Sequence, residues 1–227
     1  MFQDVYSGRI ETMPFVISVA SYKGGVGKTT TAVHLAAWFT YLGTTLLLDS
    51  DANRASVAWA EAGKLRFPVM TYKQGARHIS NYEFVVVDTE ARPEKNEMKE
   101  LADGCDVLVV PCNPDALSIR VVEQTVSVLR EAKANYRVLL TNVPARPNRD
   151  GEEARAYLAG EGIPLFRVSI RRLVAFPRAA LEGVTVAELD RNNLGWHDYE
   201  VVGQEILELH NAQLARYSGR RISTGVE

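Results

Sequence analysis

Short apolar runs alternate with longer stretches of helical periodicity from Phe15 onwards. Most of these apolar runs are continuous rather than alternating, which is typical of strands buried on both faces of a parallel sheet. The predicted strands cover residues 15–20, 45–48, 67–71, 84–87, 107–111, 138–141 and 165–168. The predicted helices cover residues 28–42, 54–62, 93–102, 116–134, 152–159, 177–181 and 197–217.

This alternation of strands and helices predicts the fold class. Strands that alternate with helices build βαβ units, whose crossovers are right-handed. We therefore expect an α/β protein with a single doubly wound, mostly parallel sheet flanked by helices. No change of composition marks a second domain. The predicted divisions are an N-terminal extension over 1–12, one domain over 13–217 and a flexible tail over 218–227.

Composition and charge narrow the classes of function. The chain has 227 residues, of which 46% are hydrophobic and 24% charged, with a net charge of −2. A dedicated reader of duplex DNA usually carries a basic footprint over its whole domain, so any nucleic-acid contact must use a local patch. No apolar run approaches the ~20 residues of a membrane span. Two cysteines are too few for a disulfide framework, which favours the reducing cytosol.

The first predicted strand runs into a glycine-rich loop and then a helix. This segment reads Ser21-Tyr22-Lys23-Gly24-Gly25-Val26-Gly27-Lys28-Thr29-Thr30. Glycines let the backbone curl so that successive N–H groups point at an anion, and the helix N-terminus adds further free N–H groups. Lys28 would bridge the β- and γ-phosphates of a nucleotide, and the Thr29 hydroxyl would ligate Mg²⁺. A glycine-rich turn capped by lysines is the alternative, which the strand–helix context disfavours.

Carboxylates end two later strands. Asp49 and Asp51 stand two residues apart, so both side chains can face the carboxyl edge of the sheet, where ligands of open α/β sheets bind. Asp49 would support either Mg²⁺ or the loop. Asp88 ends an apolar strand, and a carboxylate in that position can hold a water molecule of Mg²⁺. The order of these motifs after the glycine loop predicts a site for Mg²⁺ and a nucleotide.

Segment 23–30 resembles the deviant Walker A box of the ParA/MinD ATPases, in which the first lysine is the signature residue. The resemblance implies two subunits that face each other across two ATP molecules, with Lys23 reaching the phosphates bound by its partner. The resemblance also implies that every residue of segment 23–30 contacts ATP, with Thr30 near the α-phosphate. It also implies that Asp51 orients the attacking water. The family usually continues with Pro-Gln, where this chain has Ala52-Asn53.

The resemblance extends to the adenine base and to DNA. It places the base near Asn142 and Pro144, although an ordinary turn role for Asn142 is equally open. Segment 170–183 resembles the ParA segment before the final helix, which implies DNA contact without sequence preference in the ATP state. A solvated basic face is the alternative interpretation. The DNA-binding residues that the ParA resemblance implies are Arg171, Arg172 and Arg178 in this segment, and Arg216 and Arg220 in the tail.

The ParA branch of the family implies a Mg²⁺-dependent ATPase that positions or segregates a plasmid, a chromosome region or a carboxysome. Its ATP-bound homodimer would hold nucleoid DNA in the cytoplasm, and an adaptor protein of the ParB/McdB type would stimulate hydrolysis. A MinD-like membrane-associated ATPase is the main alternative. The tail over 207–217 disfavours it, because no cluster of bulky apolar residues stands beside lysines there. A metabolic ligase similar to dethiobiotin synthetase is a weaker alternative that rests on fold analogy alone.

Overall fold

The computed structural model describes the backbone of residues 13–223 and the side chains of residues 13–212. The extension predicted over 1–12 and the end of the predicted tail, 224–227, lie outside the described residues. The strands are β1 (Phe15–Ser21), β2 (Thr45–Asp49), β3 (Val69–Thr71), β4 (Phe84–Ala91), β5 (Val107–Cys112) and β6 (Tyr136–Leu140). The helices are α1 (Lys28–Phe39), α2 (Ala55–Ala60), α3 (Tyr72–Gly75), α4 (Lys95–Asp103), α5 (Ala116–Glu131), α6 (Asp150–Gly160), α7 (Ala175–Glu182), α8 (Val186–Leu189) and α9 (Leu194–Ser223).

The six strands form one parallel sheet in the order β3-β2-β4-β1-β5-β6, which confirms the predicted fold class. Because β1 lies between β4 and β5, the loop that follows β1 opens beside the ends of both neighbours. Asp49 at the end of β2 is the register partner of Asp88 in β4. The sheet therefore brings two of the predicted strand-end carboxylates side by side.

Helices cover both faces of the sheet. On one face, α1 and α9 build the larger core around Phe39, Tyr199 and Ile206. On the other face, α4, α5 and α6 pack through a second core that includes Met98 and Leu158. Full burial of a large apolar side chain contributes ~1.5–3 kcal/mol. Because α1 is buried along most of its length, its N-terminus is fixed in place beneath the glycine loop.

The strand predicted over 165–168 does not form. The N–H of Phe166 donates to the carbonyl of Val138 in β6, and the next donor, Ile170 N–H, bonds two residues further along β6. Successive donors of a parallel strand stand two residues apart, whereas these stand four apart. The extra residues interrupt the ladder and leave one isolated bridge, between Val138 and Leu165.

Two short helices, α3 and α8, are not among the helices predicted from the sequence. Each begins at a capping box, formed by Thr71 with Gln74 and by Thr185 with Glu188. These Thr-x-x-Gln/Glu patterns signal a helix start, but four-residue helices are too short to show periodicity. α9 continues past its predicted end at residue 217. None of the described helices is both long enough and apolar enough to span a bilayer.

Candidate nucleotide-binding site

The loop between β1 and α1 curls through two glycines in the left-handed region, Gly25 with φ 73° and Gly27 with φ 84°. A Cβ at Gly25 would meet no neighbouring atom, so the backbone conformation rather than crowding requires glycine there. Gly27 is the N-cap of α1, and the N–H groups of the first helical turn have no acceptor within the helix. The loop therefore offers N–H groups and the positive end of a helix dipole to an anion.

Lys28 supplies the buried cation of the site. Its side chain belongs to the first turn of α1, and the residue is 8% exposed. Burial lowers the pKa of Lys28, although the negative charges of Asp88 and Asp51 oppose that shift. Within the described residues, its Nζ atom has one hydrogen bond, a long one of 3.5 Å to the carbonyl oxygen of Lys23. A desolvated ammonium with so little compensation is suited to a phosphate.

Asp88 is the matching buried anion. Its Oδ2 atom accepts a hydrogen bond of 2.8 Å from Ser56 Oγ, whereas its Oδ1 atom has no hydrogen-bond partner among the described residues. Burial raises the pKa of Asp88 to about 6, and the hydroxyls of Thr29 and Ser56 oppose that shift. A buried carboxylate oxygen without a donor fits a water molecule of Mg²⁺. Asp88 and Thr29 are therefore the residues that would hold the ion.

Asp49 holds the loop that follows β2. Its Oδ1 atom accepts the N–H of Asp51 at 3.0 Å, and its Oδ2 atom accepts the N–H of Val57 at 2.9 Å. Of the two roles predicted for Asp49, support of Mg²⁺ or of the loop, the hydrogen bonds correspond to the second. Asp51 Oδ1 in turn accepts the backbone N–H and the side-chain amide of Asn53, at 2.8 and 3.0 Å. Asn53 thus orients the Asp51 carboxylate at a position where the chain departs from the family pattern.

Lys23 contacts the N-terminus of α5 in its own chain. Its Nζ atom lies 3.1 and 3.3 Å from the two carboxylate oxygens of Asp115 and 2.6 Å from Ser118 Oγ. Burial favours a raised pKa for Asp115, but the hydrogen bonds from Ser118 and Lys23 outweigh it and lower that pKa. Neither partner is predicted from the sequence, although an Asp just before a predicted helix is a typical N-cap residue. The contact with a partner's phosphates stays a prediction.

A cavity of about 320 Å³ adjoins the glycine loop where the base is expected. Asn142, which has φ 53°, borders the cavity and donates from Nδ2 to Asn113 Oδ1 at 2.8 Å. The neighbouring Thr141 donates from Oγ1 to the carbonyl of Val26 at 2.8 Å, which ties the loop to the end of β6. Pro144 is not among the residues that line the cavity. The lining includes Gly27, Thr30, Arg172, Phe176 and Tyr199.

Arg171 forms an ion pair within the chain, which bears on its predicted contact with DNA. Its Nε and Nη2 atoms donate to the two carboxylate oxygens of Asp198 at 2.8 and 2.7 Å. Asp198 is 2% exposed, so this bidentate pair neutralises a buried charge of α9. A guanidinium committed to a buried carboxylate is a poor candidate for a phosphate contact.

Of the other arginines predicted to contact DNA, two lie on the described surface and two lie near the end of α9. Arg178 donates to Glu182 at 2.8 Å on the exposed side of α7. Arg172 is exposed, and its guanidinium forms no ion pair with any described residue. Arg216 and Arg220 lie in the last turns of α9, where the side chains are outside the described part of the chain.

Comparisons with known proteins agree with this fold. Residues 17–186 match the model of the CobQ/CobB/MinD/ParA nucleotide binding domain. The chain is 34% identical over 209 residues to the maintenance of carboxysome distribution protein A of Gloeobacter kilaueensis, covering 88% of this chain and 97% of that one. It is 28% identical over 184 residues to the protein ParA of Rhizobium radiobacter, covering 72% and 81%. An ATP complex of McdA from Cyanothece shares the fold, with a TM-score of 0.70 at 14% identity over 88% of this chain and 97% of that one.

Proposed function

Because the chain belongs to the CobQ/CobB/MinD/ParA family of nucleotide-binding domains, we propose that it is a Mg²⁺-dependent ATPase that positions a cargo, as ParA-type proteins do. One observation carries the proposal. A buried ammonium, Lys28, and a buried carboxylate oxygen of Asp88 lie at the glycine loop without adequate partners among the described residues. Burial without compensation is costly unless a ligand completes the site. A phosphate chain with its metal ion carries both of the charges that are needed.

The chain's own residues divide the work on the nucleotide. The loop N–H groups and Lys28 bind the β- and γ-phosphates, and Thr29 with Asp88 holds the metal ion. Bound Mg²⁺ would neutralise charge on the phosphates during transfer. Asp51, oriented by Asn53, orients the attacking water with the oxygen that Asn53 leaves free. The cavity beside Asn142 takes the base.

The ATP-bound state is proposed to be a dimer. Two subunits face each other through their glycine loops, and each Lys23 leaves Asp115 to reach the phosphates of the partner. A cation placed there stabilises the charge that develops on the transferred phosphoryl group. Hydrolysis then removes the group that attracts Lys23 and allows the subunits to separate.

DNA binding is proposed to use the surface around Arg172 and Arg178, together with Arg216 and Arg220. Arginine–phosphate contacts give affinity without sequence preference and a steep dependence on salt. Dimerisation doubles the patch, which converts weak single contacts into retention on the nucleoid. Arg171 is left out of this surface because Asp198 already binds its guanidinium.

The proposed cargo is a carboxysome or a plasmid, and an adaptor protein on that cargo stimulates hydrolysis. The name of the Gloeobacter relative and its 97% coverage support the carboxysome, whereas the match to the Rhizobium ParA supports partition. A genomic neighbour that encodes a small basic protein would identify the adaptor.

Co-sedimentation tests the proposal directly. The full chain is pelleted with plasmid DNA or with anionic liposomes, in ATP or in ADP, at two salt concentrations. We expect pelleting with DNA only in ATP, with a loss at the higher salt concentration, and no pelleting with liposomes. Asp51→Ala should slow hydrolysis while it preserves the ATP-dependent dimer and DNA retention, and Asp103→Ala on the exposed side of α4 is the matched control.

Two results would overturn parts of this proposal. ATP-dependent pelleting with liposomes in place of DNA would support the MinD-like alternative. An Asp51→Ala chain that no longer dimerises in ATP would remove the water-orienting role of that carboxylate.

A further inference from the structure

The first turn of α2 is attached to the nucleotide site at two adjacent points. Ser56 Oγ donates to Asp88 Oδ2 at 2.8 Å, and the N–H of the next residue, Val57, donates to Asp49 Oδ2 at 2.9 Å. Asp49 and Asp88 are register partners on neighbouring strands. The hydroxyl of Ser56 is fully buried, so water does not compete for its hydrogen bond. A movement of the two carboxylates would therefore displace the first turn of α2.

The loop that leads into α2 is held by the same two strands, β2 and β4. The N–H and the hydroxyl of Ser50 both bond the carbonyl oxygen of Asp88, at 2.9 and 3.1 Å. At the other end of this loop, the N-cap of α2 is Arg54, with φ 51°. A residue with a side chain adopts that left-handed conformation only when its surroundings hold it there. The loop that carries Asp51 is thus held in one strained arrangement by contacts to Asp49 and Asp88.

The far end of α2 reaches the segment that carries the exposed arginines. Trp59 Nε1 donates to the carbonyl of Val184 at 2.9 Å. This buried contact joins α2 to the turn between α7 and α8. Next to it, a Cβ added at Gly183 would stand 2.1 Å from Ala62 Cβ and 3.0 Å from the Trp59 carbonyl oxygen. This close approach leaves little room for α2 to move without displacing the end of α7. Arg178 lies on that helix.

We propose that α2 connects the magnesium–nucleotide site to the arginine-bearing segment, with Ser56 as the positioning residue at one end and Trp59 as the contact at the other. A carboxylate group is rigid, so a shift of Asp88 Oδ1 toward a ligand moves Oδ2, and the Ser56 hydrogen bond transmits that shift to α2. The Trp59–Val184 contact passes it to α7. The inference rests on the proposed function and deepens it, because it gives the nucleotide state a route to the DNA surface.

Hydrogen exchange of the full chain, measured by mass spectrometry, tests this connection. The chain is saturated with a non-hydrolysable ATP analogue, and exchange is compared with and without Mg²⁺. In the wild type, we expect Mg²⁺ to slow exchange both in α2 and in residues 175–189. In Ser56→Ala, the analogue still binds, but the Mg²⁺-dependent slowing disappears from both segments. The gain in analogue affinity on adding Mg²⁺ should fall roughly tenfold, the size expected for a hydrogen bond to a charged group.

Trp59→Phe tests the contact at the far end of α2 independently of the contact at Ser56. This variant keeps an aromatic ring in the core and loses the hydrogen bond to Val184, so the slowing should persist in α2 and disappear from 175–189. Ser56→Thr, which restores a hydroxyl, should recover the response of both segments. Ser18→Ala is the matched control, because it removes another buried serine hydroxyl, from β1, and should leave the response unchanged.

Three outcomes would count against the connection. A purely structural Ser56 would raise exchange in α2 equally with and without Mg²⁺, and the Mg²⁺-dependent difference would survive in Ser56→Ala. Survival of the slowing in 175–189 of Trp59→Phe would remove the far contact. If the wild-type chain binds no analogue at all, the proposed function itself fails, and the inference fails with it.

Discussion

The candidate nucleotide site and the arginine-rich segment, residues 166–178, are both charged. They differ in how many of their charged groups have a hydrogen-bond or ion-pair partner. At the site, the Lys28 ammonium has one long hydrogen bond, and Asp88 Oδ1 has none among the described residues. In the arginine segment, Arg171 is bound by the buried Asp198, and Arg167 is bound by Glu205 and Glu208. The first region lacks partners that a ligand could supply, whereas most of the second already has them.

The difference separates charges that are available to a ligand from charges that stabilise the fold. Four arginines within 13 residues suggest a basic patch, yet the buried carboxylates of α9 use part of it to hold the segment in place. Arg172 is different, because its guanidinium is exposed and has no ion-pair partner in the described chain.

Removal of the Lys28 ammonium should have the largest effect. Lys28→Ala should weaken Mg-ATP binding roughly a thousandfold, since truncating one partner of a buried charge pair costs ~2–5 kcal/mol. Fluorescent-nucleotide titration measures the change, and Lys64→Ala, at an exposed lysine, is the control. Binding close to that of the wild type would show that the unsatisfied ammonium does not serve the nucleotide.

Arg171 and Arg172 should differ in their effect on folding. Arg171→Ala leaves Asp198 buried without its cation and should lower the free energy of unfolding by about 2 kcal/mol, a value reduced because the arginine is partly exposed. Arg172→Ala should change it by less than about 0.5 kcal/mol. Urea denaturation of both variants measures the difference. Equal stabilities would contradict the division of the segment into structural and free arginines.

The His34 side chain lies between α1 and α8 and should make the stability of the fold depend on pH. Its Nδ1–H donates to the Thr30 carbonyl in α1, and its Nε2 accepts the Val186 N–H in α8. Burial lowers the pKa of His34 to about 4, whereas an unfolded histidine titrates near 6.5. Between these values the unfolded chain binds more protons, so stability falls as the pH is lowered through this range.

The expected loss from His34 is about 2 kcal/mol between pH 7 and pH 5. Urea denaturation at both values measures it in the wild type, in His34→Gln and in His78→Gln. From pH 7 to pH 5 the wild type should lose about this much more stability than His34→Gln does. The raised pKa of Asp88 acts in the opposite direction, but it acts in both proteins and cancels in their difference. His78→Gln removes an exposed histidine and should behave as the wild type does. The same pH dependence in all three proteins would mean that His34 is protonated as readily in the folded chain as in the unfolded one.

The smallest effect is expected for the contact of Arg172 with DNA. At saturating ATP, which is required because Arg172 also lines the cavity assigned to the base, Arg172→Ala should weaken DNA retention a few-fold. It should reduce the slope of log affinity against log salt by about one, the change expected for one lost phosphate contact. Arg191→Ala, which removes an exposed arginine on another part of the surface, is the control. A salt slope equal to that of the wild type would place the DNA surface elsewhere.

Local patterns explain what the sequence could predict. The glycines and Lys28 of the loop lie within a few residues of each other, and the apolar runs before Asp49 and Asp88 indicate strands without knowledge of the fold, although β4 continues past Asp88 to Ala91. Contacts between distant segments could not be predicted in this way. The pairing of Arg171 with Asp198 depends on how α9 packs, and the Ser56 contact depends on where α2 begins.

The grip of Asp115 and Ser118 on Lys23 bears on when two chains can associate. One ammonium cannot bond its own Asp115 and a neighbour's phosphates at the same time. In the proposed dimer, two subunits without nucleotide would offer each Lys23 no stronger acceptor than the Asp115 that it already contacts. A bound triphosphate would carry more negative charge than this single carboxylate and could attract the ammonium to the neighbouring subunit. The proposal therefore implies that a chain without nucleotide has little reason to pair.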